Sequence, residues 1–212
     1  MSILRRSLIA LTTTAALMLT AVTTAPAAPA SAPNPVLAAA AARVTSGTGT
    51  AADLSLVKAD PELAKVVADP SRTTVTTATS PKLGLKQAPG AIASGVVVCD
   101  NWIEVTVTAY TVLGFDLFVW KHHAGFCIDV QAGAVTSWEN RYDQLVYADP
   151  TVEAKELTAN SATPLPASVG YSTMQRHLQQ CVLTYGCWAN WYPWSQIGIA
   201  GNGNWGWSWG VG

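Results

Sequence analysis

The chain has 212 residues, half of them hydrophobic and 12% charged, with a formal net charge of -1. That is too apolar for a wholly disordered chain and too punctuated by polar residues for a multi-span membrane protein; the length suits one domain with appendages or two small domains. Residues 96–212 carry four Lys and Arg against nine Asp and Glu, and so few dispersed cations cannot release the counterions on which nucleic-acid affinity depends, so nucleic acid is excluded as a partner.

Arg5 and Arg6 precede an apolar run over residues 8–22, and Ala25-Pro26-Ala27 and Ala28-Pro29-Ala30 follow as small-residue cleavage sites. Residues 1–30 read as a secretory signal peptide, since the run is shorter than a membrane span and is interrupted by Thr12, Thr13 and Thr14. With no Cys nearby to take a lipid, the mature chain is expected to be secreted, that is, extracellular. Residues 31–95 are rich in Ala, Thr, Ser and Pro and contain no aromatic residue. They predict a linker or propeptide, largely disordered, because so little surface can be buried to offset the entropy of ordering; a small packed extension of the domain is the alternative. One short helix is expected over residues 61–68, capped by Asp60, begun by Pro61 and Glu62, and stopped by Pro70.

From residue 96 onward the apolar period becomes two. Ile103, Val105, Val107 and Ala109 alternate with Glu104, Thr106, Thr108 and Tyr110, the pattern of a strand with one face on a core. Gly114 marks a turn, residues 115–121 a second strand, and residues 122–125 a connection. Residues 126–130 and 134–138 predict a hairpin about Ala132-Gly133. Residues 145–147 and 152–157 are weaker strands separated by the turn chemistry of Asp149-Pro150. Residues 174–183 are read as a strand despite their helix-favouring Gln, Arg and Leu, since Gly170 and Gly186 bound them closely. Residues 194–200, the turn Gly201-Asn202-Gly203 and residues 204–211 complete the chain. Seven or eight short strands predict a mainly β domain over residues 96–212, an antiparallel sandwich or barrel.

Cys99, Cys127, Cys181 and Cys187 are an even set in a chain read as exported, so a disulfide framework is expected. Four cysteines allow three pairings. Cys99 with Cys127 and Cys181 with Cys187 are preferred because each pair falls on neighbouring strand candidates. No Cys-x-x-Cys is present to suggest a metal or redox centre.

The segments Leu113-Gly114-Phe115-Asp116-Leu117, Phe126-Cys127 ahead of Gly133, Cys181, Gly186-Cys187, Tyr192-Pro193-Trp194 and Gly201-Asn202-Gly203 resemble a group of secreted actinobacterial proteins without assigned function. Those proteins share a Trp or Phe before the first Cys, a Gly-Cys pair and a Tyr-Pro strand near the end. The resemblance covers about residues 110–203. This chain differs from that pattern in Cys99 and in its Trp-rich tail, and the resemblance implies no catalytic residues.

Six of the nine tryptophans lie near the end of the chain: Trp188, Trp191, Trp194, Trp205, Trp207 and Trp209. On a strand, Trp205, Trp207 and Trp209 project from one face roughly 6.6 to 7 Å apart, with Gly206, Ser208 and Gly210 on the other. Turned inward, such a row is core. Turned outward, it is a stacking platform for sugar rings or a belt at a membrane interface. His122 and His123 are expected on a surface turn; together with His177 and Asp129 they lack any recognised zinc spacing, so no metal and no cofactor is expected. Glu104 and Asp116 form a carboxylate pair of the kind glycosidases use, although any acidic sandwich offers such pairs. No nucleophile elbow or phosphate-binding glycine motif is present. The expected function is therefore a non-enzymatic binding module taking a cell-wall or environmental polysaccharide through Trp205, Trp207 and Trp209. The alternatives are a membrane-directed toxin or bacteriocin-like protein acting at the membrane surface, and a secreted hydrolase.

Overall fold

The structure is a computed structural model that describes residues 34–81, 97–182 and 185–212. The expected signal peptide and residues 31–33 and 82–95 of the expected spacer lie outside the described residues. The fold is mainly β, in two antiparallel sheets that do not close into a barrel and pack as a sandwich.

The described part of residues 31–95 does not match the spacer expectation. It forms helices α1 (Pro35–Thr45), α2 (Ala51–Ala59) and α3 (Pro61–Ala64) and then strand β1 (Ala68–Thr79). Helices this short do not persist alone; here they are held by tertiary burial. Ala40, Ala41, Val44, Val57, Leu63, Ala64 and Val67 form a cluster with Val112, against which Tyr185 and Trp188 pack. The missing aromatic surface is thus supplied by residues more than a hundred positions later. Local signals reinforce each end. Asn34 caps α1, Thr50 and Asp53 form a reciprocal capping box on α2, and Asp60 accepts from Glu62 N and Leu63 N to start α3. Arg43 of α1 binds Asp53 of α2, and this guanidinium, with Thr50, holds the Asp53 carboxyl well below the usual carboxylate range. The expected helix stop at Pro70 is also corrected. The helix ends at Ala64, and Pro70 sits in an edge strand beside the irregularity between Asp69 and Thr74, where a missing N–H is tolerated.

The first sheet has the order β1-β2-β3-β4, with β2 (Val97–Thr111), β3 (Asp116–Asp129) and β4 (Ala134–Ala148). Ile103, Val105, Val107 and Ala109 are all buried, as their alternation predicts. The connection expected over residues 122–125 does not exist: β3 runs straight through them, because His122 and Ala124 are inward-facing and fully buried. The second sheet has the order β5-β6-β8-β9, with β5 (Val152–Ala162), β6 (Val169–Val182), β8 (Pro193–Ala200) and β9 (Trp205–Val211), and with β7 (Gly186–Trp191) also paired to β6. Residues 174–182 are strand, as read from the sequence.

The sheets meet in two apolar clusters. One gathers Val107, Leu117, Phe118, Trp120, Met174, Leu178 and Trp191, and the other Ile103, Val105, Phe126, Ile128, Val135, Ile197 and Ile199. Disulfides join Cys99 to Cys127 across β2 and β3, and Cys181 to Cys187 across β6 and β7. Gly201 fixes how the ends of the sheets touch: a Cβ there would lie 2.0 Å from the carbonyl carbon of Gly133 in the β3–β4 turn, so only glycine permits the approach.

Candidate functional site

The register of β9 on β8 decides where the tail tryptophans point. Trp205 pairs with Ile199, Trp207 with Ile197 and Trp209 with Ser195. Directly opposed residues share a face, and Ile197, Ile199 and Ser195 are fully buried. The row therefore faces the sandwich interior, not outward as a platform. Trp207 packs on the Ile197–Ile199 cluster and Trp209 on the Phe118–Trp191 cluster, while Trp205, at the rim, stays 39% exposed. Because β9 is an edge strand, the cover over these rings is incomplete. A shallow depression of about 350 Å³ lies over this end of the second sheet, lined by Trp205 and Trp207 together with Tyr171, Gln196, Gly198, Gly206 and Ser208.

The opposite face of this sheet carries a different aromatic set. Its outward positions are Tyr171, Thr173 and Gln175 on β6, Trp194, Gln196 and Gly198 on β8, and Gly206, Ser208 and Gly210 on β9. None of these residues bears a charge. The glycines let two rings lie down across neighbouring strands. A Cβ on Gly198 would lie 3.0 Å from Tyr171 Cε1, and one on Gly210 would lie 2.5 Å from Trp194 Nε1. Gly206 is open above, and Tyr171 is 48% exposed. The result is a flat strip with a ring near either end and the cross-strand pair Gln196–Ser208 between them. Further along β6, His177 stacks on Tyr192 at 4.9 Å between centroids, with its ring nitrogens 3.1 Å from Glu156 Oε1 and 2.9 Å from Asn190 Oδ1.

The chemistry-bearing residues singled out from the sequence are mostly kept apart. His122 is not on a surface turn. It is fully buried between the sheets, with Nδ1 2.7 Å from Ser195 Oγ and Nε2 2.8 Å from Ser172 Oγ, and Arg141 Nε donates to Ser172 Oγ at 2.9 Å. Burial, and then the nearby Arg141 charge, push its pKa down to about 4. A serine beside a histidine suggests nucleophilic catalysis. Here His122, Ser172 and Ser195 are all fully buried, so no substrate reaches them, and the group works as a hydrogen-bonded bridge across the core. His123 points the other way, stacked on Trp102 and on Tyr142 and lying 3.7 Å from Glu104. Glu104 is bound by Lys121 at 2.8 Å, and Asp116 pairs opposite Tyr110 at the far end of β2, so the two carboxylates do not meet. Among the described residues, the His, Cys, Asp and Glu group close enough for a shared ion is Cys99, Cys127 and Glu139, and both sulfurs are tied up in the disulfide.

Comparisons with protein-family models, with curated proteins and with solved structures each give no match. The resemblance to the secreted actinobacterial group rests on the residues quoted above alone.

The outer-face strip was missed in the sequence because its members come from three strands. Tyr171, Trp194, Gly198 and Gly210 are spread along the chain, and only the register places each ring over its glycine. The alternation of Gly206, Ser208 and Gly210 was the one signal available, since a bare face invites a neighbour's ring.

Proposed function

We propose that this is an exported, non-enzymatic binding module that holds a neutral polysaccharide on the outer face of the second sheet. The observation that carries the reading is the seating of Tyr171 and Trp194 on Gly198 and Gly210, flanking Gln196 and Ser208 on a strip without charge. Sugar rings offer C–H faces that suit flat aromatic surfaces, and hydroxyls that suit amides and hydroxyls. Positions 194 and 198 of β8 are roughly 13 Å apart at the rise of a strand, a length that takes a short run of pyranose units. Rings already seated on glycines lose little entropy when a chain settles on them. Export agrees with the two disulfides, which belong to an oxidising, non-cytoplasmic compartment.

Affinity electrophoresis through gels containing neutral polysaccharides tests the reading. Trp194→Ala and Tyr171→Ala should each lose most of the retardation shown by the native chain. Unchanged mobility of both variants in every gel that retards the native protein would overturn it, and a blue shift of tryptophan fluorescence with lipid vesicles but no retardation would favour the membrane-directed alternative.

A further inference from the structure

The end strands of the two sheets are not protected alike. An edge strand leaves a row of backbone N–H and C=O groups open to pairing, and charges, prolines and bulges are what block it in most proteins. β1 has Asp69, Pro70, Arg72 and an irregular register, β4 has Glu139, Arg141 and Asp143, and β5 has Glu153, Lys155 and Glu156. β9 has none of these: it carries no charge and no proline, and its pairing with β8 runs without a shift. The hydrogen bonds show which residues face its open side. Tyr192 and Gly212 exchange both backbone bonds, at 3.0 and 3.4 Å, and Ala200 N donates to Asn204 O at 2.8 Å. Bonded and non-bonded pairs alternate along antiparallel strands. Gly210, Ser208 and Gly206 therefore turn their N–H and C=O toward β8, whereas Trp205, Trp207, Trp209 and Val211 turn theirs to the edge, and β9 is the last strand on that side of its sheet.

A second copy of the same strand completes that edge. Set antiparallel about a two-fold axis at Ser208, it places Trp205 opposite Val211 and Trp207 opposite Trp209, so each of the outward-facing residues donates one backbone bond and accepts another. On the outer face Gly206 then meets Gly210 and Ser208 meets Ser208, small residues that let the two sheets join, while aromatic pairs line the inner face. The same register brings together two features that lie apart in one copy. Trp205 is the exposed ring at the rim. Beside Val211, between the ends of α1 and β9, the start of β1 and β7, lies a cleft of about 460 Å³ walled by Trp188, Trp191, Trp209 and Pro70, with no charged side chain in its lining. Directly opposed residues share a face. Val211 lines this cleft, so Trp205 of the second copy, set opposite Val211, arrives at its mouth. We propose that the protein forms a two-fold dimer in which β9 pairs with β9 of a second copy and each Trp205 ring enters the cleft of the other. The pairing does not rest on what the outer face of the sheet binds.

The experiment is sedimentation equilibrium of the full chain, disulfides intact, from about 1 to 200 μM, a range set by the small size of an interface of one strand and one ring per copy. The mass should rise from one chain to two. Ser208→Lys, at an exposed position, sets like charges directly across the axis and should leave a monomer throughout the range with an unchanged circular dichroism spectrum. Trp205→Ala empties the cleft of its ring and should weaken association at least about tenfold. Ser208→Cys reads the register itself. In a glutathione redox buffer the two thiols at the axis should be oxidised to a disulfide between copies, whereas Gln196→Cys, exposed on the same face but one strand inward, should form none. A native chain that stays monomeric up to roughly 200 μM would overturn the proposal and leave the edge to a strand of a different protein. So would an association indifferent to Ser208→Lys or to Trp205→Ala, or no more cross-linking at Ser208→Cys than at Gln196→Cys.

Discussion

His122 shows how one residue's surroundings set its chemistry. Its two ring nitrogens are satisfied by Ser172 and Ser195 while it is neutral, and burial with the Arg141 charge opposes a second proton. The pKa falls from the ordinary 6.5 to about 4 on folding, so the unfolded chain binds the proton more readily. The stabilisation is fully present above about pH 6.5 and is lost as pH falls toward 4. Linkage puts the total near roughly 3 kcal/mol. Denaturant titrations across that range should show stability falling with acid, and His122→Asn should flatten this part of the profile even though it destabilises the protein at neutral pH. The same scale governs the strip. Gly198→Val places methyl groups where the Tyr171 ring now rests. The ring, being the far end of a side chain, should lift at a cost of about 1 kcal/mol or less, while retention on polysaccharide should drop markedly. Loss of retention together with global unfolding by circular dichroism would count against this account.

The elements succeed or fail as sequence readings according to where their partners lie. β2 was legible because Ile103 to Ala109 alternate cleanly and one face is buried. α1 and α2 were not, because their apolar contacts lie with Val112, Tyr185 and Trp188, far along the chain. Their caps were nonetheless written locally. The Thr50–Asp53 box closes the start of α2, and Thr50→Ala should cost about 1 kcal/mol, read as a lowered midpoint in urea with an unchanged slope. β1 is not legible in the sequence because it is rich in Thr and contains Pro70, features that suit an exposed edge as well as a loop. The sequence of β3 reads as broken at His122 and His123 because a polar pair resembles a turn, whereas His122 is a core position satisfied by Ser172 and Ser195.

At the scale of the whole molecule, the two sheets are cross-linked within themselves. Cys99–Cys127 spans a sequence separation of 28 and Cys181–Cys187 one of 6. Loop-closure entropy assigns about 3.5 kcal/mol to the first and roughly 2.4 kcal/mol to the second. Replacing both cysteines of the longer loop with Ser should therefore lower the unfolding free energy more than replacing those of the shorter one, and equal losses would show that strand pairing, not loop closure, sets the effect. Among the described residues, no helix is long and apolar enough to cross a membrane.

The sequence by itself determined the strand-rich class, the turns at Asp149-Pro150 and Gly201-Asn202-Gly203, the preferred cysteine pairs, and the fact that Trp205, Trp207 and Trp209 share one face. These follow from backbone periodicity and from neighbours close in the chain. Only the tertiary structure decided which side of the second sheet the first sheet covers, and with it that those three rings turn inward while Tyr171 and Trp194 lie outside. It also decided that a segment without aromatic residues folds as helices, because the side chains that cover them are Val112, just past the end of β2, and Tyr185 and Trp188, at the start of β7. Parity along a strand is a local property, whereas burial is set by whichever distant surface packs against it.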